Sequence, residues 1–138
     1  MRFMVLVKAS KESEAGVLPS QEMLAEMGKY NEELVKSGVI LAGEGLQPSA
    51  KGARIQYSGS TRTVIDGPFA EAKELIAGFW LIQVKSKEEA IEWLKRAPFQ
   101  EGEVEIRQVF EADDFAPSDP TGELREAEAR LRARVEKT

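Results

Sequence analysis

Asp66-Gly67-Pro68-Phe69 is the segment of this chain best equipped for chemistry. The run Thr63-Val64-Ile65 reads as a strand, and it stops at a carboxylate followed by a rigid turn. Pro68 lacks an N–H, fixes its own φ and biases Gly67 away from helix, so the corner is stiff. A carboxylate at a strand end can project into a cleft, and desolvation beside apolar groups suits such a group to general-base work. Asp66 is therefore the candidate catalytic residue, with Gly67, Pro68 and Phe69 as a candidate binding lip. Lys73 and Glu74 follow closely and offer an anion contact and a further carboxylate. Glu44, between two glycines, is another carboxylate at a strand end, and two acids meeting across a cleft could share proton transfer. Tyr57 and Arg54 could add a phenol and an anion clamp. The plain alternative is structural: Asp before Gly-Pro starts turns because its carboxylate accepts backbone N–H bonds.

Composition removes many mechanisms. The chain has no cysteine and no histidine, which excludes disulfides, thiolate or imidazole metal ligands, and cysteine- or histidine-based nucleophilic catalysis. Any enzyme here is expected to work without a metal or nucleotide cofactor. Gly43-Glu44-Gly45 lacks the Lys, Ser/Thr and helix of a phosphate loop. The acids from Glu111 to Glu123 do not match a calcium-loop spacing. A formal net charge of −5 argues against nonspecific nucleic-acid binding. No stretch approaches the ~20 apolar residues of a membrane span. The absence of cysteine suits a cytoplasmic location.

The elements that must position these residues are legible. Arg2–Lys8 and Ile76–Val84 are strands apolar on both faces. Residues 10–19 read as a loop. Ser20 caps a helix with Met23, Met27, Tyr30 and Leu34 on one face, ended near Gly38. Residues 39–42 form a strand running into Gly43. A hairpin over about 53–66 turns at residues 58–61, and residues 71–75 allow one helical turn. Ser86 and Glu89 make a capping-box pattern before a helix carrying Ala90, Ile91 and Leu94. Residues 103–110 alternate, with Val104, Ile106 and Phe110 opposite Glu105 and Arg107. Residues 116–138 read as a linker and a charged helix, with Leu124, Ala127, Leu131 and Val135 on one stripe.

The order βαβ, hairpin, βαβ predicts an α+β fold: a ferredoxin-like split βαβ sheet with both helices on one face and an inserted hairpin. That order places the two doubly apolar strands in the middle. Two helices cover one face only, so the other needs a cover, in part the hairpin and in the main a second copy in a two-fold homodimer.

Four segments in register, "GEGLQPS" (43–49), "TVIDGPFAEAKELIAGFWLI" (63–82), "KEEAIEWLKRAP" (87–98) and "VEIRQVFEADDF" (104–115), resemble the DGPF branch of the YCII-related proteins over about residues 1–115. The resemblance implies a dimeric α+β barrel and, for an enzyme, acid–base lyase, isomerase or hydrolase chemistry on a small polar or aromatic compound. Family function is mostly unassigned. Some members are labelled transcription-initiation proteins through association with extracytoplasmic-function sigma factors, which implies a protein partner as an alternative to a small-molecule ligand. In some YCII-related enzymes a first-strand histidine and an aspartate form an acid–base dyad, and one such enzyme removes chloride from a hydroxylated aromatic. Asp66 is similar in position to that aspartate. The histidine is missing, so a catalytically inactive binding homologue is a further reading.

Overall fold

A computed structural model describes residues 1–136, the side chain of Lys73 excepted. The backbone divides into two compact units, residues 1–108 and 109–138. In the first unit the elements are β1 (Arg2–Lys8), α1 (Lys11–Glu14), α2 (Gln21–Lys36), β2 (Ile40–Gly45), β3 (Ala53–Ser58), β4 (Thr61–Asp66), β5 (Ile76–Gln83), α3 (Lys87–Lys95) and β6 (Val104–Gln108). Short 3-10 turns occupy Ser49–Lys51 and Ala72–Glu74.

The main sheet has the order β2-β5-β1-β6, and all three pairings are antiparallel. This is the expected split βαβ arrangement, with the two doubly apolar strands central. Val5 stands opposite both Trp80 and Ile106, and Phe3 opposite Ile82. Side chains alternate across a strand, so Phe3, Val5, Trp80 and Ile82 share a face. That face packs on Tyr30 and Leu34 of α2 and on Ala90 and Trp93 of α3, so both helices lie on one side. Phe3, Leu34, Ile82 and Val5 are the largest fully buried side chains, each worth about 1.5–3 kcal/mol of burial.

Local signals explain the helix ends. The Ser20 side chain accepts from Met23 N–H, and the Ser86 hydroxyl from Glu89 N–H, at 3.1 Å each. Glu89 reaches back to the N–H of Lys85 rather than to Ser86, so the capping box closes one residue early. Residues 10–19, expected as loop, include the single turn α1. It is held by reciprocal bonds between Ser10 and Ser13, a pairing of two serines that the Ser-x-x-Glu template does not describe. α3 turns Trp93 into the core beside Ala90, while Ile91 and Leu94 are only partly buried.

The opposite face of the sheet carries Met4, Leu6, Phe79 and Leu81, paired Met4 with Leu81 and Leu6 with Phe79. All four are partly buried. The hairpin β3–β4 does not provide the expected cover, because every one of its side chains is exposed. Along the β6 edge the face turns polar: Lys8 and Arg107 flank Glu105 at 3.2 Å each.

β6 ends at Gln108, earlier than the alternation suggests. Phe110 falls in the second unit, where its ring lies 4.9 Å from that of Phe115. The segment expected as linker is a 3-10 helix, Ala112–Ser118, followed by α4 (Glu123–Glu136). Asp119 explains the order. Its buried carboxylate accepts from the N–H groups of Leu124 and Arg125 and from the Arg125 guanidinium, fixing the start of α4. Burial would raise this carboxyl, but those donors outweigh it and hold it below the ordinary value of 3.8.

Candidate functional site

Three glycines on two strands line an apolar cleft beside α2. β2 extends through Gly43-Glu44-Gly45, beyond the expected strand, because these residues pair with β5: Gly43 with Trp80, Glu44 with Phe79 and Gly45 with Gly78. A Cβ at Gly43 would sit 2.9 Å from the Trp80 ring, and one at Gly78 would sit 2.9 Å from the Glu44 carbonyl oxygen. A Cβ at Gly45 would meet nothing within 4 Å. Gly43 and Gly78 thus admit close approach of Trp80 and of the β2 backbone, Gly45 leaves open space, and the three line a cleft of about 420 Å³. Val7, Met27, Ile40 and Phe99 supply apolar walls and Asn31 a polar side chain, while Glu44 lines the cleft from the strand, its side chain on the Phe79 face.

Trp80 is well fixed. Its ring meets Tyr30 edge-on at 5.7 Å between centroids and Phe99 at 6.0 Å. Its indole N–H donates to Asn31 Oδ1 at 2.9 Å. Behind it, the Tyr30 hydroxyl donates to the Trp93 carbonyl at 2.6 Å. Burial pushes the Tyr30 phenol up to about 12, with Arg96 pulling it down and Glu33 pushing it up more weakly.

A larger cleft of about 900 Å³ adjoins this one, sharing Val7, Ala77 and Phe99. Its rim carries Glu12, Glu74, Glu101 and Glu103 with Lys8. Among the described residues, no group of three or more acids is arranged to hold a metal ion. No helix among them is long and apolar enough to cross a membrane.

The Asp66 corner is a third place. Asp66 pairs with Ala53 at the end of the hairpin and is exposed. It lines none of these clefts. The next residues are latched inward. Gly67 N–H donates to Gly52 O, and Phe69 N–H donates to Ser49 Oγ, at 3.0 Å each. The Gly67–Pro68 peptide is cis. Ser49 in turn donates its N–H to Glu14 Oε2 at 2.9 Å and its hydroxyl to Glu14 Oε1. Those two bonds, the hydroxyl's first, hold the Glu14 carboxyl below its ordinary value. A lowered pKa makes Glu14 a weak base and a good anchor. Glu14, Ser49 and Phe69 border a cleft of about 370 Å³, and the Arg54 guanidinium lies 3.9 Å over the Phe69 ring.

The candidate residues are thus spread out. Glu44 belongs to the glycine-floored cleft, Glu74 to the acidic-rimmed one, and Phe69 to the corner. Tyr57 is 70 % exposed at the hairpin, with the Arg62 guanidinium 4.8 Å over its ring. The Lys73 side chain lies outside the described residues. Asn31, Glu14 and Ser49 escaped the sequence reading. Asn31 left a trace, since it stands four residues after Met27, a polar residue on an apolar helical face. Glu14 and Ser49 left none, being 35 residues apart.

Three comparisons bear on identity. A solved structure, 5-chloro-2-hydroxyhydroquinone dehydrochlorinase from Burkholderia phenoliruptrix AC1100 in complex with 2,5-dihydroxybenzoquinone, is similar at a TM-score of 0.45 and 16% identity, covering 80% of this chain and 94% of that one. An uncharacterized protein from Rhizobium meliloti (strain 1021) is 34% identical over 101 residues, 71% of this chain and 77% of that protein. The model of the YCII-related domain matches residues 1–123, and this chain belongs to that family.

Proposed function

We propose that the protein is a homodimeric, small-ligand-binding member of the DGPF branch of its family, with the ligand seated on the Gly43, Gly45 and Gly78 floor. The carrying observation is that floor: three glycines, Gly45 facing open space, line a cleft of about 420 Å³ against a fixed indole. A concave, mostly apolar space with few polar groups is what a small-molecule site requires. Its size and its Trp80 and Phe99 walls favour a small planar compound. Glu44 meets the cleft along its strand backbone, its side chain being on the face of its partner Phe79. If the corner is a second, catalytic site, Asp66 is its carboxylate.

Gly45→Leu tests this reading. The position has room for a side chain, so the variant fills the cleft and keeps the fold. Screening a panel of small phenols and aryl ketones by ligand-observed NMR should find binders of the native protein that Gly45→Leu loses, with the melting temperature within a few degrees. Binders retained by Gly45→Leu would place the site elsewhere. Loss of the same binders in Asp66→Asn, with stability kept, would bring the corner into the site.

A protein-contact role is the second reading. It is favoured by the exposed Leu124 and Leu131 on charged α4. Removal of residues 123–138 should then abolish partner capture while leaving fragment binding intact.

A further inference from the structure

The bond between Trp80 and Asn31 fixes more than the indole. An indole N–H can only donate, so the Asn31 amide must turn its oxygen toward Trp80 at 2.9 Å. Its NH₂ group is thereby turned to another direction. Among the described residues, Nδ2 donates to no protein acceptor, and no buried side-chain polar atom is left without a partner, so this amide reaches open space. Asn31 lines the glycine-floored cleft, whose other walls include Val7, Met27, Ile40 and Phe99. These side chains carry no group that could satisfy an N–H donor. Glu44, the charged residue of the lining, sits opposite Phe79 on the neighbouring strand.

We infer that Asn31 is the specificity-determining donor of this cleft, and that its ligand presents an oxygen acceptor, a carbonyl or a deprotonated oxygen, on a small planar apolar body. The inference rests on the ligand-binding reading above and sharpens it. A ligand without an acceptor would cover the amide and leave its N–H groups unsatisfied. A site built around a polar group rejects the analogue that lacks the matching group. Trp80 serves here as a positioning residue, because it sets which end of the amide meets the ligand.

Acetophenone and cumene are a matched pair for the test: similar in shape, one with a carbonyl and one without. Ligand-observed NMR gives their affinities, and the Trp80 indole N–H resonance reports whether its hydrogen bond persists. The native protein should prefer acetophenone by about tenfold, the worth of one well-made hydrogen bond. Asn31→Asp keeps an acceptor for Trp80 but replaces the donor with a carboxylate oxygen. It should weaken acetophenone by about tenfold or more and leave cumene nearly unchanged. Gly45→Leu should abolish both.

Equal affinity of the two probes for the native protein, with both lost in Gly45→Leu, overturns the role of Asn31 while the cleft stands. An equal effect of Asn31→Asp on both probes, with the indole resonance in place, reduces Asn31 to a wall. Binding of neither probe sinks the inference and the cleft reading together. If Asn31→Asp fails to fold, the ratio of the two probes on the native protein decides alone.

Discussion

Gly67 packs so tightly on Ser49 that a Cβ there would come within 1.7 Å of the Ser49 carbonyl oxygen. Backbone meets backbone, so neither side can yield by rotating a side chain. Gly67→Ala should therefore destabilise the corner by about 1–3 kcal/mol, the usual cost of overpacking. Ser49→Ala keeps the close approach and the backbone N–H bond to Glu14 but loses the hydroxyl's bonds to Glu14 and Phe69, and should cost about 1–2 kcal/mol. Urea denaturation of both variants checks this. Native-like stability of Gly67→Ala would mean that the latch opens freely.

Acid should loosen the protein through three carboxylates. Glu14 is lowered by its two bonds from Ser49, Glu105 by Arg107 and Lys8, and Asp119 by donors that outweigh its burial. A lowered folded pKa means that the charged form is stabilised by folding. That stability is fully present above the unfolded values, 4.5 for Glu and 3.8 for Asp, and is lost as pH falls through the lower folded values. The urea midpoint should hold level down to about pH 5 and decline below it. Glu14→Gln should make that decline shallower. A midpoint that rises on acidification would contradict the sign.

Alkali acts through Tyr30, with the opposite sense. Its folded pKa, about 12, lies above the ordinary 10.0, so folding favours the neutral phenol. This contribution is complete below 10 and is lost as pH rises from there toward 12. Tyr30→Phe removes the bond to the Trp93 carbonyl, at a cost of about 1 kcal/mol. It should also flatten the alkaline fall of the melting temperature. An unchanged alkaline profile in Tyr30→Phe would assign that fall to other groups.

The sheet face bearing Met4, Leu6, Phe79 and Leu81 predicts association. A second copy packed on it would bury these four side chains, with Lys8, Glu105 and Arg107 at the rim. Phe79→Glu places a charge at the centre of the face and should convert a dimer in sedimentation equilibrium to a monomer. The ligand cleft lies on the helix side of the same sheet, so binding to the monomer would separate the two properties. A native monomer at micromolar concentration rejects the arrangement.

Strand identity and order were readable because burial writes itself into side-chain period. β1 and β5 are apolar on both faces, and the sheet puts them in the centre. The helix stripes through Tyr30, Leu34 and Ala90 reach the core for the same reason. Gly43 and Gly45 misled the reading, since glycine signals the end of a strand. In the fold their emptiness accommodates Trp80 and opens the cleft. The serine pairing of α1 and the Asp119 anchor replaced expected loops, because each depends on a side chain choosing one backbone group among several.

The amino-acid order alone thus made legible the alternation and the stiff Asp66-Gly67-Pro68-Phe69 corner, which near neighbours set, and the split βαβ topology, which the doubly apolar period of the central strands betrays. Only the tertiary structure decided what that corner touches. Ser49 stands 20 residues before Phe69 and 35 after Glu14, and Asn31 stands 49 before Trp80. Hydrogen bonds at such separations leave no period and no local motif. They exist because the folded sheet brings distant backbone and side-chain groups within 3 Å or so of one another.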